Sequence, residues 1–276
     1  MIEEFFFKLA FILYLISTVG FFIYFYSLKP EALKGARLVL LGGFFCHTLN
    51  IVLRLKVLKA PPVASFHESS SFLAWAVVGV YFFFVYRGPK VYTMGTFLLP
   101  LVLLLMIASA ISPSEITPLP PVLQSLWLPI HAIISLFSYA FFLTAAVAGF
   151  MYLLQERQVK HKQLGGIFKR LPPLESLDRI NELSLKYGFP LLTLGIITGA
   201  LWAEKAWGTY WNWDPKETWS LILWLVYAAL LHERLIVGWR GRRAAMMALL
   251  GFLVWIISFF VVNLFLPGLH SYGKWS

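Results

Sequence analysis

Charge is scarce in this sequence. Only 13% of its 276 residues are Asp, Glu, Lys or Arg, whereas a soluble domain carries about a quarter. Hydrophobic residues make up 59%, and they gather into runs of about 17–25 residues, long enough to cross a hydrocarbon core of about 30 Å. The lack of charge excludes an ordinary soluble domain and predicts an integral membrane protein in contact with lipid.

Cysteine is almost absent as well. Cys46 is the single cysteine and lies within an apolar run, which excludes a disulfide framework and an internal thiol pair for dithiol exchange. The basic start and small-residue cleavage site of a secretory leader are also missing. Glu3 and Glu4 precede the first apolar run, and we therefore interpret that run as a retained helix.

The apolar runs predict an all-α integral membrane protein with about eight transmembrane helices, forming a single polytopic domain over residues 1–276. Neither an internal repeat nor a separate soluble domain is visible in the sequence. The stretch from Leu174 to Lys186 is predicted to form a short amphipathic helix on the inner membrane surface. The predicted spans are about 5–28, 38–55, 70–86, 92–111, 127–154, 187–203, 218–237 and 244–266.

The formal net charge of +10 is explained by topology and not by nucleic-acid binding. Lys and Arg concentrate in alternate connections, which the positive-inside rule places in the cytoplasm. The other connections and both termini are then predicted to face outward. Only the connection after the second span, with Arg54, Lys56 and Lys59, weakens this asymmetry. The basic connections are 29–37, 87–90, 155–186 and 234–243.

One outward-facing connection is rich in aromatic residues. Residues 207–219 read WGTYWNWDPKETW, with four tryptophans and a tyrosine within thirteen residues. A belt of aromatic side chains at the membrane interface explains one or two tryptophans, but not this density. Stacking and edge-to-face contacts from such a set suit a large flat ligand, and Lys216 can pair with a carboxylate such as a haem propionate.

Two histidines are predicted on the same side of the membrane as this segment. His131 lies at the outer start of the fifth span, and His270 lies just past the outer end of the eighth. A single histidine in such a position is more often a structural hydrogen-bonding residue. Two imidazoles beside an aromatic platform are what six-coordinate haem iron needs, so the pair predicts haem ligation.

His232 is different because it is predicted to lie inside the membrane. It falls about 13 residues into the seventh span, roughly 20 Å below the outer surface at about 1.5 Å per residue. Ionisable residues at such depth are costly and usually functional, although a hydrogen bond to a neighbouring helix is the alternative. His47, midway along the second span, is either a second intramembrane ligand or an interhelical hydrogen bonder. His67 and His161 are predicted in solvated loops.

Residues 207–228, WGTYWNWDPKETWSLILWLVYA, resemble the tryptophan-rich "WWD" signature of haem-handling membrane proteins. The ending DPKETW is similar to the CcsA or ResC branch, from the System II pathway of cytochrome c maturation. A weaker similarity is PPVASFHESSSFLAW at 61–75, which resembles the Pro-rich segment entering that family's third span. The related CcmC proteins usually have fewer spans and CcmF proteins are much longer, so the resemblance to the CcsA branch covers nearly the whole chain.

The resemblance implies a subunit of a holocytochrome c synthase, or haem lyase. Such a protein carries haem b across the membrane and attaches it through thioether bonds to the CxxCH segment of apocytochrome c. The resemblance also implies a CcsB/ResB-type partner and no nucleic-acid partner. It implies a location in a bacterial inner or thylakoid-like membrane, with an external WWD segment at 204–218. His131 and His270 match the two external haem ligands. His232 matches one ligand of an intramembrane haem, and the other is expected from the partner.

The full set of predicted haem-binding residues combines the histidines with the WWD segment. Catalytic residues stay unknown at this stage, since Asp214, Lys216 and Glu217 more plausibly fix the segment or meet propionates than act as acid or base. Two other functions stay open: a haem exporter or chaperone without ligation activity, and a membrane cytochrome b that pairs His47 with His232. The predicted haem-binding residues are His131, His270, His232, Trp207, Tyr210, Trp211, Trp213, Asp214, Lys216 and Trp219.

Overall fold

The computed structural model describes residues 2–58, 62–87, 91–113 and 125–266, and every long element within these ranges is a helix. The last long helix continues through a π-helical turn, Ile257–Val261, into the short helix α9, Val262–Phe265. The eight long helices are α1 Ile2–Ser27, α2 Pro30–Leu58, α3 Phe66–Arg87, α4 Met94–Ile111, α5 Trp127–Lys160, α6 Leu174–Trp207, α7 Pro215–Leu235 and α8 Arg242–Ile256.

The all-α membrane architecture is confirmed, and each of the eight apolar runs falls on one long helix. Among the described residues, seven helices are long and apolar enough to cross a membrane. The remaining one, α7, has charged residues at both ends: Lys216 and Glu217 at its start, Glu233 and Arg234 at its end. Its 21 residues still extend about 31 Å, which matches the thickness of a hydrocarbon core.

Helix α6 differs from the prediction of a separate surface helix at 174–186. Those residues are the first turns of one continuous helix of 34 residues that runs to Trp207. The physical reason is a continuous buried stripe, repeating every three or four residues, that packs along α5 on both sides of the expected boundary. The residues of that stripe are Leu177, Asn181, Ser184, Gly188, Leu192 and Gly195.

Small residues let the central helices approach closely. α5 packs mainly on α6, and it also contacts α3 and α8, while α1 and α2 form a peripheral pair. At Gly149 of α5, an added Cβ would lie only 2.9 Å from the carbonyl oxygen of Ala245. In lipid no hydrophobic force drives helices together. Glycine and alanine at such positions allow the close van der Waals packing that stabilises their association instead.

The connection after the second span weakened the predicted charge asymmetry, and the position of Arg54 explains why. Arg54 is buried within the bundle, and its guanidinium lies 3.5 Å from the Glu68 carboxylate, which is also buried. Arg54 is therefore neutralised inside the protein and does not belong to the exposed positive charge that sets topology. The second carboxylate oxygen of Glu68 accepts hydrogen bonds from the backbone N–H groups of Ala64 and Ser65, and so fixes the segment before α3.

Candidate functional site

The WWD segment is held by the ends of two helices. α6 ends at Gly208, which has a φ of 76° and donates its N–H to the Glu204 carbonyl at 2.8 Å. Glycine adopts this left-handed conformation without a steric penalty. α7 begins after Asp214, whose carboxylate accepts the Lys216 N–H, and Pro215 occupies the first helical position, where its missing N–H costs nothing.

Glu217 completes a capping box with Asp214. One oxygen of its carboxylate, Oε2, accepts the backbone N–H of Asn212 at 2.7 Å and that of Asp214 at 3.2 Å. The reciprocal bonds satisfy backbone donors that a helix start otherwise leaves unpaired. Trp213 takes a φ of 57°, an uncommon conformation for a residue with a Cβ. The DPKE sequence therefore fixes the backbone on which the aromatic residues are displayed.

A cavity opens beside this segment at the end of the bundle where α5 begins and α6 ends, here called the outer end. Four parts of the chain form most of its wall: the start of α5, the C-terminal half of α6, the WWD segment with the start of α7, and the π-helical turn. The segment before α3 adds Val63 and Ala64. Among the lining residues are His131, Ser135, Gly199, Trp202, Tyr210, Trp211, Lys216, Glu217, Ser258 and Phe259.

His131 is oriented in this cavity by the backbone of α6. Its Nδ1 lies 2.7 Å from the Gly195 carbonyl oxygen, and because a carbonyl only accepts, the ring proton sits on Nδ1. In a neutral imidazole, Nε2 then carries the lone pair that a metal needs. The ring is nearly parallel to that of Trp202, with centroids 6.4 Å apart, and Trp207 packs edge-on against Trp202 at 5.0 Å.

Gly199 makes room for the His131 ring. A Cβ at this position would lie 2.7 Å from Nδ1 and 2.8 Å from Cε1 of the imidazole, closer than van der Waals contact allows. We expect Gly199→Ala to rotate His131 away from the Gly195 carbonyl. If His131 is a haem ligand, as the sequence predicts, the change should also weaken haem binding by at least tenfold, the usual cost of losing an outer-shell ligand contact.

Absorption spectroscopy of the purified protein, titrated with haem, measures this effect. Gly35→Ala is the matched control, since Gly35 is also helical and an added Cβ there meets nothing within 4 Å. Equal haem affinity in Gly199→Ala and Gly35→Ala would show that the close approach has no part in orienting His131.

The other predicted residues of the segment occupy different positions. Tyr210, Trp211 and Lys216 line the cavity with His131. Trp213 is 68% exposed and meets Trp211 edge-on at 5.8 Å. Asp214 is buried as the N-cap of α7, while Trp207 and Trp219 are half-buried. His270, the predicted second ligand, lies outside the described residues.

Two parts of the cavity wall were not predicted from the sequence. Ser258 and Phe259 come from the π-helical turn, where the eighth helix widens; such turns occur frequently at functional sites. Val63 and Ala64 come from the segment that Glu68 fixes. The similarity noted at 61–75 was a signal for the second part, but nothing in residues 257–261 marks a π-helix.

His232 lies at the opposite, inner end of the bundle, on the last turn of α7. Its side chain is exposed and shares one stripe of the helix with Ile222, Leu225 and Ala229. Because the rest of this stripe is apolar, it faces lipid or a second chain. Its place on the last turn, beside the charged Glu233 and Arg234, lies nearer the inner end of the helix than the depth predicted from the sequence. Its exposure leaves it open to contacts from outside this chain.

Arg234 fixes α7 next to His232. Its guanidinium is buried and contacts the Asp178 carboxylate at 2.7 and 3.1 Å and the Asp178 carbonyl at 2.8 Å. Asp178 also accepts the Gly241 N–H at 2.8 Å. Charge-assisted, bidentate pairing of this kind is strong and directional. It locks the inner ends of α6 and α7 together and so sets the direction in which His232 projects.

Two of the remaining histidines, His47 and His67, make hydrogen bonds between helices. His47 is fully buried, with Nδ1 3.2 Å from the Tyr14 hydroxyl and Nε2 2.9 Å from the Ser71 hydroxyl. Both ring nitrogens are thus engaged, as expected of an interhelical hydrogen bonder. The prediction that His67 is solvated was wrong: it lies in the first turn of α3, half-buried, with Nδ1 2.9 Å from the Ser109 carbonyl oxygen of α4. His161 is exposed, as predicted.

The fold and the cavity define a multi-pass helical membrane protein with an aromatic, histidine-containing site at one end. Residues 63–270 match the family model described as cytochrome C assembly protein. The chain belongs to the CcsA family of cytochrome c biogenesis proteins.

Similar relatives include the cytochrome c biogenesis protein CcsA of Guillardia theta, 37% identical over 83% of this chain and 82% of the relative. The CcsA protein of Synechococcus sp. (strain CC9902) is 35% identical over 96% of both chains. The protein therefore has a role in cytochrome c biogenesis.

A solved structure shares the fold. The cytochrome c haem lyase CcmF superposes with a TM-score of 0.70 over 94% of this chain, at 16% sequence identity. This chain spans 46% of the CcmF chain, so CcmF contains a large further part without a counterpart here. At this identity the likeness concerns the fold alone.

Proposed function

We propose that this protein transports haem b across the membrane and presents it for attachment to the CxxCH segment of apocytochrome c, as the CcsA-type subunit of a cytochrome c synthase. The observation that carries the proposal is the fixed orientation of the His131 ring and the cavity in which it lies. Its Nδ1 is fixed by the Gly195 carbonyl, and its ring lies in a cavity walled by tryptophans and Lys216. This is the environment of a histidine prepared to bind a metal in a flat, anionic ligand.

At the outer site, His131 and His270 would be the two axial ligands of the haem iron. Trp211 and Tyr210 supply aromatic surface on the cavity wall, and Trp207 supports His131 through Trp202. The Lys216 ammonium suits a propionate. These contacts would hold the haem in one orientation, with its vinyl groups open to the thiols of the substrate.

At the inner end, His232 would bind the iron of a haem on its way to the outer site. Its exposed position on α7 supports a second ligand from a CcsB/ResB-type partner chain, because a haem bound there lies at the surface of this subunit. His47 does not suit that role, since Tyr14 and Ser71 engage both of its ring nitrogens. The same observation speaks against a membrane cytochrome b that pairs His47 with His232.

The synthase activity then rests on positioning. Two thiols and two vinyl groups react efficiently only when they are held in contact and in the correct orientation, and such positioning is worth orders of magnitude in rate. The proposed setting is a bacterial inner membrane or a thylakoid-like membrane, with the WWD segment and both termini on the outer side. The partners are the CcsB/ResB-type subunit, apocytochrome c and membrane lipid.

The cavity predicts which tryptophan of the segment matters most. Trp211→Ala removes aromatic surface from the cavity wall, and we expect haem retained at the outer site and covalent haem on cytochrome c to fall by about tenfold. This corresponds to about 1.4 kcal/mol, within the range of about 0.5–1.5 kcal/mol for an aromatic contact beyond the lost area. Trp213→Ala should have a smaller effect, because Trp213 is mostly exposed and reaches the cavity only through Trp211.

Co-expression with the partner subunit and a reporter cytochrome c, followed by haem staining and absorption spectra of the purified complex, measures both quantities. Trp239→Ala is the matched control, since Trp239 lies beyond the inner end of α7, where Arg243 packs on its ring. If Trp211→Ala and Trp239→Ala retain haem equally, the aromatic platform has no role in binding.

A further inference from the structure

Glu217 has a carboxylate oxygen that the capping box does not use. Oε2 accepts both backbone N–H groups, whereas Oε1 is shielded from solvent and has no hydrogen-bond partner among the residues that the structure describes. The residue is only 9% exposed and forms part of the cavity wall. A structural capping role explains one oxygen of this side chain and leaves the other without a function.

A buried polar atom without a partner is costly, about 1–3 kcal/mol and more for a charged group. Each such atom indicates strain, a catalytic role or a missing donor. Oε1 is one of eleven among the described residues, and of these it alone belongs to an acidic side chain on the cavity wall. Here the backbone bonds to Oε2 prevent the side chain from turning away. The other titratable side chains on the described part of the wall are His131, Tyr139, Tyr210 and Lys216. A donor brought into the cavity by the substrate would satisfy Oε1.

We propose that Glu217 accepts the proton of the substrate cysteine during thioether formation. The inference rests on the proposed synthase function and assigns a catalytic residue to its outer site. The thiol proton passes to Oε1, and the thiolate sulfur adds to the inner carbon of a haem vinyl group. As the C–S bond forms, the terminal vinyl carbon takes this proton back from the Glu217 carboxylic acid, so that no free carbanion builds up on that primary carbon.

Atoms and electrons balance in this addition. The S–H bond and the vinyl π bond break, one C–S and one C–H bond form, and nothing is oxidised or reduced. Glu217 returns to its carboxylate form for the second cysteine. The fixed position of the side chain matters because a general base acts only within hydrogen-bond reach of the proton that it takes.

Glu217→Gln tests this role while preserving the capping box, because the amide oxygen can still accept the Asn212 and Asp214 N–H groups. The full chain is purified with its partner subunit and haem, and is reacted with a synthetic CxxCH peptide. We expect bound haem and its spectrum to stay as in the unmodified protein, and the rate of covalent attachment to fall about a hundredfold near pH 6.5, the size of a typical general-base contribution.

The pH dependence separates catalysis from structure. A cysteine thiol ionises by itself near pH 8.5, so the defect of Glu217→Gln should shrink as the pH rises to about 9. Glu4→Gln, an exposed carboxylate on α1, should react at the unmodified rate. Normal attachment by Glu217→Gln, loss of its bound haem, or a defect that is constant with pH would each overturn the proposal.

Failure of the proposed function would look different. If the unmodified complex binds no haem that depends on His131, the outer site itself is wrong, whatever the behaviour of Glu217. If His131 is required for haem binding and Glu217→Gln reacts normally, only the catalytic role of Glu217 is rejected.

Discussion

Replacement of His131 by glycine is expected to abolish haem binding at the outer site and to reduce cytochrome c maturation to background. In the proposed function this change removes an iron ligand, which no neighbouring side chain on the described wall of the cavity can replace in the same position. The space left by the imidazole lies next to the Gly195 carbonyl. Added imidazole can donate to that carbonyl and bind iron through its other nitrogen, so it should restore function.

The measurement is covalent haem on a reporter cytochrome c in cells grown with and without imidazole, together with spectra of the purified complex. His161→Gly is the matched control, because His161 is exposed at the end of α5 and far along that helix from the cavity. Full maturation by His131→Gly without imidazole would reject the outer haem site. The double variant of His131 and His270 should retain only the haem bound through His232.

Replacement of His232 by glutamine is the second decisive experiment. If His232 only bonds a neighbouring helix or lipid headgroup, the change should be nearly silent, since interhelical hydrogen bonds in membranes average about 0.6 kcal/mol. If it binds the iron of a transiting haem, maturation should stop while the cavity around His131 stays intact. We expect the second outcome, because His232 is exposed on a stripe of α7 that is otherwise apolar, where a second chain can reach it.

Imidazole rescue of His232→Gly identifies the role as ligation. His47→Gln serves as a comparison inside the membrane: it should lower thermal stability by disturbing the Tyr14 and Ser71 contacts but leave haem transport in place. Loss of haem transport in His47→Gln with unchanged stability would instead make His47 the second intramembrane ligand. A silent His232→Gln, with an unchanged haem spectrum, would reject the inner site.

In the proposed function the two histidines act at different steps, so their variants should give different intermediates. His131→Gly should accumulate haem at the inner site, with the spectrum that depends on His232 and the partner chain. His232→Gln should leave both sites empty, because haem does not reach the outer cavity. Purification of each complex followed by absorption spectroscopy distinguishes the two patterns.

The sequence by itself determined the all-α membrane fold and the family. Long apolar runs need helices that satisfy their own backbone groups in lipid, so eight runs predicted eight long helices without tertiary information. The WWD segment was also predicted from the sequence as a binding surface for a flat ligand, because four tryptophans within thirteen residues are far more than an interfacial belt requires. His131 was selected by its position beside that segment.

Only the tertiary structure decided how these residues are held. No sequence pattern states that the Gly195 carbonyl fixes the His131 tautomer or that Gly199 makes room for the ring, since these are contacts between helices. The solvated position predicted for His67 failed for the same reason. Its partner, Ser109, is 42 residues away on α4.

The two carboxylate oxygens of Glu217 differ in the same way: the contacts of one follow from the local sequence, and those of the other from the tertiary structure. Its spacing from Asp214 is a capping signature that can be read locally, because the bonds of a helix start involve neighbours in the chain. Whether its second oxygen meets water, a partner or a cavity depends on α5, α6 and the π-helical turn packed around it. Local bonds follow from local sequence, whereas burial depends on residues distant in the chain, and only the folded bundle brings those residues together.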